Sequence, residues 1–248
     1  DRATLHRSLT AALDREQVWP AFQPIVDMRT GAVAGFEILA RWRDPRAGDI
    51  SPAAFIPRLE QHGLIGVLSE ALMLRACAVA MTWPGTFSLA FNISPAQLAG
   101  EELLSQLAAV SAATGFPLNR MELEVTEASL ITDGHRAYDV LQAVNDLDIR
   151  IGIDDFGTGH SSLARLESFP FHTLKLDARF VRDVDTDAGK RRIAAATIGL
   201  GHSLGITVVA EGIETAPAES ILRGLGCDLG QGWLYGRGEP AALTPPVL

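Results

Sequence analysis

The chain has 248 residues, of which 47% are hydrophobic and 21% charged, proportions that argue against a disordered or fibrous protein. Its formal net charge of −9 argues against binding to a nucleic acid polymer, which depends on Lys and Arg. No segment has the character of a membrane span or a secretory signal, and the two cysteines are expected to be buried free thiols. We therefore expect a cytoplasmic domain, although a longer protein that contains it could be tethered to a membrane.

Segments typical of helices and strands alternate along the chain. A leading helix is predicted over 4–17, where Leu5, Leu9, Ala12 and Leu13 recur at helical spacing. The predicted strands cover 22–27, 33–41, 87–93, 122–126, 149–154, 173–176, 207–210 and 227–233. The further predicted helices cover 52–61, 65–81, 101–113, 136–147, 161–166, 190–204 and 218–225.

Eight strands that alternate with helices predict an α/β fold, a closed (β/α)₈ barrel of the TIM type. Pro24 in the first strand and the turn at 27–31 predict that this strand pairs antiparallel with the second one. No linker or repeat interrupts the pattern. Residues 1–248 are therefore predicted to form a single domain, with 1–20 as a leading helix and 240–248 as a Pro-rich tail.

Acidic, amide and lysine side chains recur at or near the C-terminal ends of these strands. They are Glu37, Asn92, Glu124, Glu127, Asp154, Asp155, Lys175, Asp177, Glu211, Glu214 and Gln231. Any one of them alone is more simply interpreted as an exposed residue, a turn residue or a helix cap. Together they predict one active site, because the C-terminal ends of barrel strands converge on one face.

The carboxylates of this set would repel one another unless cations lay among them. Mg²⁺ and Mn²⁺ prefer oxygen ligands of this kind, and the adjacent Asp154 and Asp155 suit a pair of cations. None of the six histidines has the spacing of zinc ligands. The segment after the aspartates, with Gly157 and Gly159, predicts either a plain β–α turn or a mobile loop over the site.

These residues give the chain a resemblance to the EAL domain, the bacterial phosphodiesterase module that opens cyclic di-GMP (c-di-GMP). The matching segments are 22–25, 35–42, 91–94, 122–127, 154–159, 174–177, 210–214 and 231–233, which extend over nearly the whole chain. The departures from the family's usual pattern are Ile38, His160, His172, Thr173 and Gly238. Ile38 replaces an alanine and should affect packing rather than ligation, because alternate strand residues face opposite sides. Gly238 stands where the family usually has a proline, and the resemblance implies that this change affects a contact with the substrate.

The resemblance implies two divalent cations, Mg²⁺ or Mn²⁺. The first would be bound by Glu37, Asn92, Glu124 and Asp154, and the second by Asp154, Asp155 and Glu211. Lys175, Glu211 and Asp155 are the implied catalytic residues. Lys175 would contact the attacking water or the phosphate, and Glu211 would accept or relay a proton.

The resemblance also assigns the residues around the substrate. Gln23 would meet guanine, Arg41 would meet a phosphate oxygen, and Asp177 is placed with them at the substrate. The loop of Gly157, Thr158 and Gly159 would be held from behind by Glu127 and Glu214, and Gln231 would lie near cation-bound water.

The implied function is metal-dependent hydrolysis of c-di-GMP to linear pGpG through a water activated by two cations. The implied partners are c-di-GMP, a second copy in a homodimer, and a sensory or cyclase domain attached outside this chain. Two alternatives stay open. One is a catalytically silent receptor for c-di-GMP. The other is a barrel glycosidase, which would explain a carboxylate pair but not the Asp154–Asp155 doublet with Asn92 and Lys175.

Overall fold

The computed structural model describes residues 2–130, 134–157 and 163–241. The strands are β1 (Val18–Asp27), β2 (Val33–Asp44), β3 (Gly48–Ile50), β4 (Ser88–Asn92), β5 (Met121–Thr126), β6 (Arg150–Phe156), β7 (Thr173–Leu176), β8 (Thr207–Ala210), β9 (Leu229–Gln231) and β10 (Glu239–Pro240). The helices are α1 (Arg2–Asp14), α2 (Pro52–Gln61), α3 (Ile65–Ala80), α4 (Pro95–Ala99), α5 (Leu103–Thr114), α6 (Gly134–Asn145), α7 (Leu163–Ser168), α8 (Ala178–Val181), α9 (Ala188–Ser203) and α10 (Ala216–Gly224). Within these ranges no helix combines the length and the apolar character needed to cross a membrane.

The predicted barrel is confirmed. Eight strands close it in the order β1, β2, β4, β5, β6, β7, β8 and β9, and β9 pairs back to β1. As predicted, β1 runs antiparallel to β2, and it is also antiparallel to β9. The ladders from β2–β4 to β8–β9 are all parallel. Their C-terminal ends therefore open on one face, where a barrel site is built.

The inside of the barrel holds a thin apolar layer between two polar ones. Ile25, Ala90 and Val209 pack together there as a small buried cluster. Towards the N-terminal ends of the strands, Glu122 accepts hydrogen bonds from Arg150 and from the buried Thr173. Thr173, one of the departures from the family pattern, therefore faces the barrel interior. The other polar layer, at the C-terminal ends, contains the predicted site.

The β1–β2 hairpin is longer than the sequence predicts. β1 begins at Val18 rather than at residue 22, and β2 continues to Asp44 rather than to residue 41. The added length is stabilised by a second hydrophobic cluster, in which Val18 packs with Leu9 of α1 and Leu59 of α2. The helix that supplies Leu9 ends at Asp14 rather than at residue 17.

Two short strands are absent from the predicted set. β3 pairs with the end of β2 across a turn in which the Asp44 carboxylate accepts hydrogen bonds from the backbone of Arg46 and Ala47. Pro240, which the sequence places in the tail, belongs to β10 and pairs with Ala21. Strands of two or three residues carry no apolar alternation, so sequence periodicity does not reveal them.

Candidate active site

Inward-facing positions at the open end of the barrel carry most of the predicted site residues. Gln23 of β1 and Glu37 of β2 are directly opposite each other in the hairpin ladder. Asn92 at the end of β4 is paired in register with Glu124 of β5. Glu37 and Glu124 are buried, which rules out their interpretation as isolated surface charges. Parallel registers thus bring together side chains that are far apart in the sequence.

Lys175 lies at the centre of this site and is only 1% exposed. Its Nζ is 2.8 Å from Glu124 Oε2, 2.8 Å from Glu211 Oε1, 3.3 Å from Glu37 Oε2 and 3.8 Å from Asp154 Oδ1. A buried ammonium is tolerated only when carboxylates surround it, and the same holds for the carboxylates. One positive charge against four acidic groups leaves the cluster with an excess of negative charge.

Side-chain amides hold the Glu37 carboxylate in place. Asn92 Nδ2 donates to Glu37 Oε1 at 2.6 Å, and Gln231 Nε2 donates to Glu37 Oε2 at 2.6 Å. The same Gln231 nitrogen also donates to Gln23 Oε1 at 3.1 Å. These bonds fix the direction of the carboxylate and link β1, β2, β4 and β9 around the mouth of the barrel.

The aspartate doublet lies on an irregular part of β6. The ladder between β6 and β7 shifts register between Ile153 and Phe156, and Asp155 adopts a φ of 56°. In a regular strand, neighbouring side chains would face opposite sides. Here one carboxylate oxygen from each of Asp154, Asp155 and Glu211 lies within 4.8 Å of the others, close enough for the three groups to share one metal ion.

Burial and mutual repulsion perturb the pKa values of the cluster. Burial, with the charges of Asp154 and Glu37, raises the pKa of Glu211 to about 7, against the opposing effect of Lys175. Burial together with Asp154 and Asp177 raises the pKa of Asp155 to about 6.

The remaining buried groups of the cluster shift in opposite directions. Burial raises the pKa of Glu124 well above its usual value. Burial also opposes ionisation of Glu37, but Lys175 and the amide donors outweigh it and lower the pKa of Glu37. For Lys175, burial favours the neutral form, yet the surrounding carboxylates raise its pKa well above the usual value. The negative charge of the cluster therefore favours the binding of cations. Where no metal cation is bound, protons bind some of the carboxylates instead.

Four other predicted residues lie around this cluster. Asp177 caps α8 and accepts hydrogen bonds from the backbone and side chain of Arg179. Arg41 is half-buried, and its Nη1 donates to the carbonyl oxygen of Ala40. Glu214 lies 3.6 Å from the Nη2 of Arg182. Glu127 is buried in the short 3₁₀ turn that follows β5.

The loop after the aspartates is described only as far as Gly157. That glycine has a φ of 90°, and a Cβ on it would contact the ring of Phe180. Thr158, Gly159 and His160 lie outside the described residues, so the expected contacts of Glu127 and Glu214 with this loop stay predictions.

Two cavities lie beside the site. One has a volume of about 320 Å³ and a mainly apolar lining without any carboxylate of the cluster, and it meets the site at Arg41 and Asn92. The other, about 210 Å³, is lined by Gln23, Glu37, Ala178, Arg182, Glu211, Gly212, Glu214, Gln231, Gly232 and Trp233. The sequence analysis assigns no role to Arg182 or Trp233. Arg182 follows α8 with no motif around it. Trp233 lies in the last segment that resembles the EAL domain, and this segment is the one sequence signal that points to it.

Residues 6–238 match the family model of the EAL domain. The chain belongs to the EAL domain family. The curated relatives include a signaling protein of Caulobacter vibrioides, 42% identical over 98% of this chain. They also include the cyclic di-GMP phosphodiesterase PA2567 of Pseudomonas aeruginosa, 36% identical over 93% of this chain. A solved structure of the PaMucR phosphodiesterase in complex with c-di-GMP has a TM-score of 0.89 and is 34% identical, covering 96% of this chain and 98% of that one.

This EAL domain spans only 30% of the Caulobacter protein and 40% of PA2567. Two of its departures from the family pattern, Ile38 and Gly238, lie in the described part of the chain with clear surroundings. Ile38 is buried in the main hydrophobic core, in agreement with a packing role. A Cβ on Gly238 would lie 3.0 Å from both Arg41 Nη2 and Leu39 Cδ1, so the glycine leaves room beside the Arg41 guanidinium.

Proposed function

We propose that this EAL domain hydrolyses c-di-GMP to linear pGpG and requires two divalent cations, Mg²⁺ or Mn²⁺. The observation that carries the proposal is the convergence of Asp154, Asp155 and Glu211 on a possible metal position beside the buried Lys175. Similarity to PA2567 and MucR, which are described as phosphodiesterases for this nucleotide, supports the choice of substrate.

The donor set fits hard divalent cations. Carboxylate oxygens, the ligands that Mg²⁺ and Mn²⁺ prefer, surround the site, and the pKa values raised by burial and mutual repulsion indicate an excess of negative charge. We assign the first cation to Glu37, Asn92, Glu124 and Asp154, and the second to Asp154, Asp155 and Glu211. When bound, the cations supply an activated water and neutralise charge on the phosphate.

The chain's own residues would orient the reaction. Lys175 would bring a positive charge to the phosphate oxygens, and because its side chain is buried, this charge is weakly screened by bulk water. Arg41 borders the larger cavity and would add a second positive charge at the phosphate. We assign Glu211, which lies 2.8 Å from Lys175 Nζ, as the residue that accepts or relays the proton released by the attacking water.

The two cavities suit a ligand with two bases and a phosphodiester between them. Asn92 borders the larger cavity and Glu37 the smaller one, and Asn92 is hydrogen-bonded to Glu37. A c-di-GMP molecule laid across the cluster would place a phosphodiester over the carboxylates and a guanine on each side. Gln23 lines the smaller cavity and would meet one guanine there, and Asp177 would support the same side.

Several wider features are part of this proposal. The domain would act in the cytoplasm, as a homodimer, within a longer protein that carries a sensory or cyclase domain. Glu127 and Glu214 would hold the loop of Gly157, Thr158 and Gly159 in a position that keeps Asp154 and Asp155 in ligating geometry.

Chromatography of the nucleotides formed from c-di-GMP tests the proposal. Wild-type protein with Mg²⁺ should produce pGpG, and Glu37→Gln should produce it orders of magnitude more slowly. The substitution removes a charge from the first cation site and keeps the shape and fold. Circular dichroism provides the control for folding. Binding of c-di-GMP without cleavage by the wild type would contradict hydrolysis and favour the receptor alternative.

A further inference from the structure

Trp233 is the most exposed large hydrophobic side chain in the described part of the chain, with 56% of its surface accessible. It follows β9 by two residues and lines the smaller cavity beside the carboxylate cluster. An indole in this position contributes little to the core. It lines a cavity whose other side chains are mainly polar or charged.

The turn that carries Trp233 is held firmly. The backbone nitrogen of Ile213 donates to the carbonyl oxygen of Gln231, and that of Leu234 donates to the carbonyl oxygen of Ile213. Gly232 packs so closely on Ile213 that a Cβ would overlap its backbone. The backbone position of Trp233 is therefore fixed by main-chain contacts.

Arg237 orients the indole itself. Its guanidinium carbon lies 4.2 Å from the centroid of the Trp233 ring, a cation–π contact on one face. An aromatic ring backed by a cation on one face can stack a planar ligand on the other. Such platforms bind nucleotide bases of any sequence, because every base presents a π-face.

We propose that Trp233 stacks one guanine base of c-di-GMP in the smaller cavity, an inference that rests on the function proposed above. Stacking supplies affinity, and the polar walls supply recognition of the guanine edge. Arg182 lines the same cavity and can donate to the O6 and N7 of the base. Its ion pair with Glu214, 3.6 Å long between partly exposed side chains, contributes little stability and leaves the guanidinium available for these bonds.

Steady-state kinetics with three variants test the stacking. Trp233→Ala should raise KM about tenfold or more and leave kcat within about threefold, because the base is bound equally in the ground and transition states. Trp233→Phe keeps a ring and should restore KM to near the wild-type value. Leu234→Ala is the matched control, since Leu234 is an exposed neighbour outside the cavity lining, and its KM should be unchanged.

Tryptophan fluorescence gives a second measurement that does not depend on turnover. Binding of c-di-GMP in excess chelator should quench wild-type emission. Trp233→Phe should bind the nucleotide by calorimetry but lose most of the quenching, although Trp19, Trp42 and Trp83 remain.

The outcomes separate the stacking from the proposed function. A wild type that cleaves c-di-GMP, with an unchanged KM in Trp233→Ala, would overturn the stacking and leave the function intact. Quenching that persists in Trp233→Phe would also overturn it. A wild type that neither binds nor cleaves c-di-GMP would overturn the proposed function and the stacking together.

Discussion

Lys175 is the residue on which the site depends most. The sequence places it at a strand end, where a solvated lysine is the simplest interpretation. The structure instead buries it among four carboxylates from β2, β5, β6 and the end of β8. Its partners are up to 138 residues away in the chain, so no local pattern reveals them. The sequence thus predicts that these side chains lie at strand ends. Which of them contact one another depends on the registers of the barrel strands, which the sequence does not show.

Replacing Lys175 should affect turnover more than binding. In Lys175→Ala, kcat should fall about 100- to 1000-fold, the effect typical of removing one preorganised charge, while the dissociation constant for c-di-GMP changes less. Lys175→Met fills more of the space without the charge and serves as the control for a cavity. Cation binding, followed by calorimetry, should persist in both variants. Equal losses of affinity and turnover would instead identify Lys175 as a substrate anchor.

The raised pKa values of Glu211 and Asp155 predict an unusual pH dependence of stability in the absence of cations. Folded Glu211 holds its proton up to about pH 7, whereas the unfolded carboxyl releases it near 4.5. Folded Asp155 likewise titrates near 6 rather than 3.8. The folded state therefore binds more protons between these limits, and this stabilisation, complete below about pH 4, is lost as pH rises through 6 to 7.

Urea unfolding at pH 5 and pH 7.5 in excess chelator measures this effect. Other groups act in the opposite direction, since burial lowers the pKa of His172 and makes its contribution rise with pH. Comparison with Glu211→Gln isolates the contribution of Glu211. Stability should fall more steeply with pH in the wild type than in the variant, and Mg²⁺ should remove the difference. Parallel pH profiles in chelator would contradict the assignment.

At the scale of elements, the irregular end of β6 is the feature that builds the site. The sequence shows the Asp154–Asp155 doublet but not the register shift that brings both carboxylates to Glu211. Most of the eight barrel strands were predictable because they are rich in apolar residues between turn signals, whereas β9 has only a weak pattern of this kind. The shift depends on pairing with β7, and β3 and β10 are too short to show a pattern. Local sequence therefore predicts the strands and leaves their irregularities undetermined.

The turn after β9 packs closely on Ile213, and this contact leads to a prediction at the scale of elements. Gly232→Ala should destabilise the domain by about 1–3 kcal/mol or more, because the added Cβ overlaps the Ile213 backbone. Gly199→Ala is the matched control. It lies inside α9 with nothing within 4 Å of the added carbon, and should stabilise by about 0.5–1 kcal/mol. Urea unfolding measures the free energy of unfolding of both variants. Equal changes in the two variants would contradict the close contact between Gly232 and the Ile213 backbone.

At the scale of the whole molecule, the domain is one part of a larger system. It spans 30% to 40% of the curated relatives named above, and the attached domain and the homodimer stay predictions. Thr173, one of the departures from the family pattern, is buried inside the barrel. Much of the loop proposed to couple the dimer to catalysis lies outside the described residues.

Self-association should raise catalytic activity. If a second copy holds the loop after β6, specific activity per subunit should fall over a dilution series as light scattering shows the dimer dissociating. Glu127→Ala should be about 10- to 100-fold less active even when dimeric, because Glu127 acts through the cation ligands. Constant specific activity through complete dissociation, together with normal activity of Glu127→Ala, would contradict the coupling.

The central claim is that two divalent cations are required, and the rate of pGpG formation measured against Mg²⁺ concentration tests it most directly. Protein first stripped with chelator should be inactive. Its rate should then rise with a sigmoidal dependence on free Mg²⁺, because both cation sites must be filled before c-di-GMP is cleaved. Undiminished cleavage of c-di-GMP in excess chelator would contradict the account.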